Sequence, residues 1–167
     1  DSLLIVPTEN DQFVRRQLLR GYVHDEAAAF QGGVSGNAGL FSNANDLAKV
    51  LQLFLNQGTY GNEQYLSTET CRLFTQSKSP TSRRGLGFDK PAPGTHKGSP
   101  CSSLTPPSVY GHTGTCFWVD PDNQLLYIFL CNRVNPSRAN NKLSQLDIRK
   151  RIQDAIYKAI DRKSQKD

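Results

Sequence analysis

Of the three histidines in the chain, His24, His96 and His112, the last stands in the setting best suited to catalysis. It opens the stretch "HTGTCFWVD", with small Thr113 and Gly114 directly after it and a strand-like run beyond. An imidazole takes or gives a proton near neutral pH. A glycine at a strand edge lets a ligand or another backbone segment come close. The same residues also suit a histidine hydrogen-bonded at a strand start, with the glycine forming a bulge, and both alternatives stand on these residues alone.

Other polar groups give weaker signals. His24 precedes Asp25 and Glu26, but side chains adjacent in sequence rarely aim at one ion, and no His-Glu-x-x-His spacing exists. No metal and no cofactor are expected. The glycine-rich "GGVSGNAG", Gly32 to Gly39, matches neither a phosphate loop nor a dinucleotide fingerprint and reads as a structural loop. Arg133, at the end of a buried strand, could meet a substrate carboxylate or pair with a surface acid. The cysteines Cys71, Cys101, Cys116 and Cys131 form no Cys-x-x-Cys pair and fit no zinc spacing.

The elements that must carry these groups are partly legible. Residues 1–40 show no clean period. "SNANDLAKVLQLFLNQG" predicts a helix, with Ser42 or Asn43 as N-cap, Asp46 in the first turn and Gly58 at the C-terminal cap. Its apolar stripe is Leu47, Val50, Leu51, Phe54 and Leu55. A shorter helix in "LSTETCRLFTQ" takes Ser67 as its cap. "RRGLGFD" reads as a strand, and the Pro-, Gly- and Ser-rich stretch after it as a long loop. Then comes a hairpin from Tyr110 to Arg133 that turns at "DPDNQ". Its outgoing strand "LLYIFLC" is apolar on both faces, which predicts burial in the middle of a sheet. A closing amphipathic helix should line one side with Leu143, Leu146, Ile152, Ala155, Ile156, Ala159 and Ile160. The class is α+β, an antiparallel sheet packed with helices.

A chain of 167 residues with 37% hydrophobic content is long enough for one domain with a core. The net charge of +5 gathers in "DIRKRIQ" and the tail "DRKSQKD", with no interleaved aromatics, so nucleic acid is not an expected partner. The chain starts at Asp1 and contains no methionine, as expected of a processed piece or a fragment of a longer protein.

The blocks "GYVHDEAAAFQGGVSGNAGLFSNANDLAKVLQLFLNQG", "RGLGFD", "YGHT", "WVDP" and "FLCNRVNPS" follow one another along nearly the whole chain. In that order they resemble the serine β-lactamase-like family, which includes class C β-lactamases, penicillin-binding DD-peptidases and esterases. The likeness extends to bacterial hydrolase domains fused behind family 3 β-N-acetylglucosaminidases. The resemblance implies the C-terminal part of the β-lactamase/transpeptidase-like fold, with residues 1–167 as a single, partial hydrolase domain. It implies that His112, Thr113 and Gly114 are the strand triplet that lines the site. The backbone N–H of Thr115 would then be the oxyanion donor. Asn37 stands where many relatives carry histidine, which makes it a candidate substrate contact beside Arg133.

The family's Ser-x-x-Lys occurs nowhere in the chain, and the lone Tyr-x-Asn, Tyr60 to Asn62, falls in a turn. The nucleophile, its lysine and the tyrosine are therefore expected upstream, and the chain by itself is expected to be inactive. "HTGTCFWVDP" is also three residues shorter than the pattern His-Thr-Gly-Phe-Thr-Gly-Thr before "WVDP". An odd deletion swaps the faces of a strand unless a bulge absorbs it. The implied chemistry is acyl transfer through a serine ester, on a peptide, ester or β-lactam carbonyl. The implied setting is peptidoglycan outside the cytoplasm, in the periplasm or cell envelope. The alternative is a non-catalytic cell-wall-binding or structural module derived from the same fold. The expected partners are the substrate, the upstream part of the same protein and, through exposed apolar surface, a second copy of the chain.

Overall fold

A computed structural model describes residues 4–76, 80, 81, 86, 88 and 113–164, with side chains described for these residues except 76 and 162–164. The predicted strand "RRGLGFD" (83–89) lies mostly outside the described residues, and the loop that follows it wholly outside, as do His96, Cys101 and His112.

The first 40 residues are more ordered than their sequence suggests. Strands β1 (Glu9–Asp11) and β2 (Gln17–Leu19) pair antiparallel, Glu9 opposite Leu19. Helix α1 (Glu26–Phe30) is capped by Asp25, whose carboxylate accepts from the Ala28 N–H. Strands of three residues are too short to show a period, which is why they escape a pattern search.

Helix α2 (Ala44–Leu55) forms where predicted. The Asn43 side chain accepts from the Asp46 N–H, and the Gly58 N–H closes the far end on the Leu53 carbonyl. Gly58 has φ +99° and lies so close to Leu66 that a Cβ would strike its carbonyl oxygen, so glycine is required there. The predicted stripe holds at Leu51 and Leu55, which are buried, but Val50 is 52% exposed. Strands β3 (Thr59–Tyr60) and β4 (Glu63–Gln64) form a small hairpin. Its turn is Gly61 and Asn62, both at positive φ, so the Tyr-x-Asn sequence is spent on a tight turn. Helix α3 (Thr68–Gln76) is capped by the Ser67 hydroxyl, which accepts from the Thr70 N–H.

The long hairpin is the centre of the fold. Strands β5 (Cys116–Asp120) and β6 (Leu125–Phe129) pair from Cys116 with Phe129 to Asp120 with Leu125. Buried Asp120 organises the turn by accepting from the N–H groups of Asp122 and Asn123 and from the Asn123 amide. Among the described residues β6 pairs with β5 alone. Among the described residues, a helix covers each of its apolar faces. On one face Val119, Phe117, Leu126 and Ile128 pack with Leu51 and Leu55 of α2, and Phe54 meets Phe88 edge-on. On the other, Cys116, Trp118, Tyr127 and Phe129 pack with Tyr157 and Ile160 of the closing helix.

That closing segment is not one helix. It divides into α4 (Lys142–Gln145) and α5 (Ile148–Ser164), with Asp147 at φ +49° between them. The buried side of the closing segment matches the predicted one only in part: Ile160 packs on the hairpin, and Ile152 and Ile156 are half-buried. Arg149, Gln153 and Tyr157 are buried, whereas Leu146, Ala155 and Ala159 are exposed. The face is selected by polar atoms at the two ends of the hairpin. Arg149 Nη1 donates to the Gly114 carbonyl, and the Tyr157 hydroxyl donates to the Asp120 carboxylate at 2.7 Å.

Candidate active site

The segment Thr113–Thr115 leads into β5 and is held from several sides. The Thr113 carbonyl accepts from the Arg133 N–H at 2.9 Å. The Thr115 hydroxyl donates to the Cys131 carbonyl at 3.2 Å and lies 3.4 Å from the Thr113 hydroxyl. Three residues separate Thr113 from Cys116, while four separate Phe129 from Arg133 across the ladder. The Arg133–Thr113 bond is therefore one residue out of step with the β5–β6 register, just beyond the end of the ladder.

Gly114 sits at this irregularity with φ +97°. A Cβ on it would lie 2.5 Å from Leu143 Cδ2, 3.3 Å from Cys131 Sγ and 3.5 Å from Arg133 Cγ. Both the backbone conformation and the space demand glycine. Arg149 reaches the Gly114 carbonyl from beneath, at 3.2 Å.

The two predicted substrate contacts are engaged with their own surroundings. Arg133 Nη1 donates to the carbonyls of Arg138 and Asn140, so that guanidinium end braces the loop after β6. The Arg133 backbone, by contrast, belongs to the candidate site through Thr113. Asn37 is exposed in the glycine-rich loop, where it donates to the Asp25 carboxylate at 3.1 Å and accepts from the Ser35 hydroxyl at 2.5 Å. The Ala28 N–H and Asn37 together hold the Asp25 carboxyl below its ordinary range.

A buried charge network, missed by pattern reading, ties the chain's beginning to its end. Glu9 takes hydrogen bonds from the Arg138 guanidinium and the Arg138 N–H, and His24 Nε2 lies 2.7 Å from it. Arg138 also pairs with Glu26 and sits over the Phe13 ring at 5.1 Å. Asp11 accepts from Arg15 and from the N–H groups of Phe13, Val14 and Arg15. Burial pushes the Glu9 carboxyl up, but Arg138 and His24 outweigh it and bring the group down to about 2. The nearest sequence signal was the run His24-Asp25-Glu26, whose acids and base turn out to serve three different partners.

The buried thiols Cys116 and Cys71 are poor nucleophiles. Burial pushes Cys116 up to about 11, against the opposing charge of Arg149, so it stays protonated at neutral pH. Burial raises the buried Cys71 thiol as well. Among the described residues no group of three or more His, Cys, Asp or Glu side chains could hold a metal ion, and none of the helices is long and apolar enough to cross a membrane.

The chain is similar in sequence to known proteins. A family model described as Beta-lactamase matches residues 6–150. A protein of Escherichia coli K12 named "Putative D-alanyl-D-alanine carboxypeptidase" is 40% identical over 124 residues, 72% of this chain and 28% of the relative. A protein of the same name from Escherichia coli O157:H7 is 42% identical over 117 residues, covering 68% of this chain and 27% of the relative. One from Salmonella gallinarum is 38% identical over 142 residues, covering 78% and 31%. The chain thus spans less than a third of the length of these curated relatives. No solved structure matches it. With the family match running over most of its residues, and with the α+β hairpin-and-helix architecture described above, the chain belongs to the Beta-lactamase family.

Proposed function

We propose that this chain forms one wall of the acyl-transfer site of a serine hydrolase, and that the whole protein acts on peptidoglycan-derived D-alanyl-D-alanine peptides. A β-lactam or ester carbonyl would enter the same chemistry. The observation that carries this reading is the Thr113–Thr115 segment, braced by the Arg133 N–H, the Cys131 carbonyl and Arg149 at the mouth of β5. Such bracing suits a preorganised oxyanion donor, here the Thr115 N–H, and donors of this kind are worth about 10²–10³ in rate.

In this scheme a serine outside residues 1–167 adds its Oγ to the substrate carbonyl, and its proton passes to a neighbouring base. The C–N bond breaks, the leaving amine takes up a proton, and water then hydrolyses the serine ester. His112 and Thr113 would line the channel beside the carbonyl, with Asn37 and Arg133 as outer contacts. The setting is the periplasm or cell envelope, where such peptides occur. The rest of the protein is the partner this scheme requires. Phe30, Val34 and Leu40, exposed at 81%, 93% and 86%, are available to pack against it. Without that cover the same side chains favour self-association of the isolated chain.

A second reading, a non-catalytic cell-wall-binding module on the same fold, is favoured by the three-residue shortening of the His-Thr-Gly block. Labelling with a fluorescent penicillin separates the two. The full-length protein should label and residues 1–167 should not. No label on a folded full-length protein points to the binding module, and label on residues 1–167 alone overturns the placement of the nucleophile.

A further inference from the structure

We infer that Arg149 is the positioning residue that aims the Thr115 N–H, an inference that rests on the acyl-transfer reading above. Arg149 lies on α5, 35 positions beyond Gly114 in sequence, and is 5% exposed. Its Nη1 holds the Gly114 carbonyl at 3.2 Å. The Gly114 carbonyl and the Thr115 N–H belong to one planar peptide unit, and that unit is trans. In a trans peptide the C=O and N–H point in opposite directions and turn together. A guanidinium that draws the carbonyl toward α5 therefore turns the Thr115 N–H away from α5.

The need for an external hold follows from the local chain. Gly114 has φ +97°, and glycine alone leaves its flanking peptides free to rotate. Leu143 fills the space beside its Cα, but an apolar contact fixes position without fixing the plane of a peptide. The Thr115 hydroxyl on the Cys131 carbonyl anchors the residue after the plane, and the Arg133 N–H on the Thr113 carbonyl anchors the residue before it. Arg149 acts on the plane between them. A planar guanidinium at a buried carbonyl keeps its direction, whereas a lysine ammonium there is a mobile point donor.

The test uses the full-length protein as wild type, Arg149→Met and Arg149→Lys. The acylation rate constant for fluorescent penicillin should fall ~10-fold or more in Arg149→Met with the binding constant changed less than ~2-fold, because a misaimed donor fails mainly in the transition state. Arg149→Lys should recover part of the rate. Independently of activity, the amide resonance of Thr115 should shift in Arg149→Met and its hydrogen exchange should quicken, while amides of Trp118 and Tyr127 in the hairpin hold. A Thr115 amide that stays in place, or moves no more than those of the hairpin, overturns the inference. If the wild type does not label at all, the acyl-transfer reading fails, and the Thr115 amide still decides whether Arg149 sets the peptide. Should Arg149→Met fail to fold, the Arg149→Lys amide spectrum alone carries the decision.

Discussion

Replacing Gly114 with alanine tests the geometry of the candidate site without any substrate. Two costs are expected. An L-residue at φ +97° is strained by about 1–2 kcal/mol. The new Cβ would also stand 2.5 Å from Leu143 Cδ2, well inside ordinary contact, and overpacking of this kind costs about 1–3 kcal/mol. Together Gly114→Ala should lose roughly 2–5 kcal/mol. Urea unfolding gives the number from the midpoint and slope. The two costs separate in a double-mutant cycle with Leu143→Ala, which removes the colliding methyl but leaves φ unchanged. The coupling should be about 1–2 kcal/mol in the direction of relief, with the strain term remaining. A Gly114→Ala protein within ~0.5 kcal/mol of wild type would show that Gly114 is neither strained nor crowded, and a cycle with no coupling would remove the Leu143 collision; either would make the description of the β5 entry wrong.

Three further outcomes are expected. Glu9 falls from its ordinary 4.5 to about 2 in the folded chain, so its contribution is fully present above pH 4.5 and drains away as pH falls toward 2; Glu9→Gln should flatten that part of a stability-against-pH curve, and an unchanged curve would remove the buried pairing with Arg138 from the account. Tyr157→Phe removes the 2.7 Å hydrogen bond to Asp120 and should cost about 1–3 kcal/mol by thermal or urea unfolding, against no change if the hydroxyl is incidental. Asn43→Ala removes the cap on α2 and should cost about 0.5–2 kcal/mol, with restoration by Asn43→Ser.

The parts of this fold that the sequence announces are those fixed by neighbours in the chain. Asn43, Ser67 and the Asp120–Gln124 turn each act within a few residues of themselves, and each does what its residue type predicts. The parts that escape are fixed at a distance. Glu9 and Asp11 carry no sequence mark of burial, yet both are buried where Arg138 and Arg15 reach them. The stripe predicted for the closing helix was met only in part, for the same reason: Ile160 packs on the hairpin, whereas Ala155 and Ala159 are exposed. A search for apolar spacing favours Leu146, Ala155 and Ala159, but what lies under the helix is a carbonyl at one end of β5 and a carboxylate at the other. The Thr113–Gly114–Thr115 motif was legible as a motif. What braces it was not, because Arg149 and Leu143 come from beyond the hairpin and carry no mark of that task.

These braces share a mechanical consequence. Arg149 and Tyr157 stand two turns apart on α5, a rise of about 12 Å. Gly114 and Asp120, their partners, stand six residues apart along a strand, about 20 Å. Side chains as long as arginine and tyrosine bridge the difference, so one helix grips both ends of one strand. Val119 and Trp118 between those ends are almost fully buried against α2 and α5 respectively. The entry to β5 therefore cannot shift without dragging a buried carboxylate or a buried guanidinium from its partner. A loop motif made of threonine and glycine, which by itself would be among the softest stretches of a chain, takes its rigidity from a helix 35 residues away.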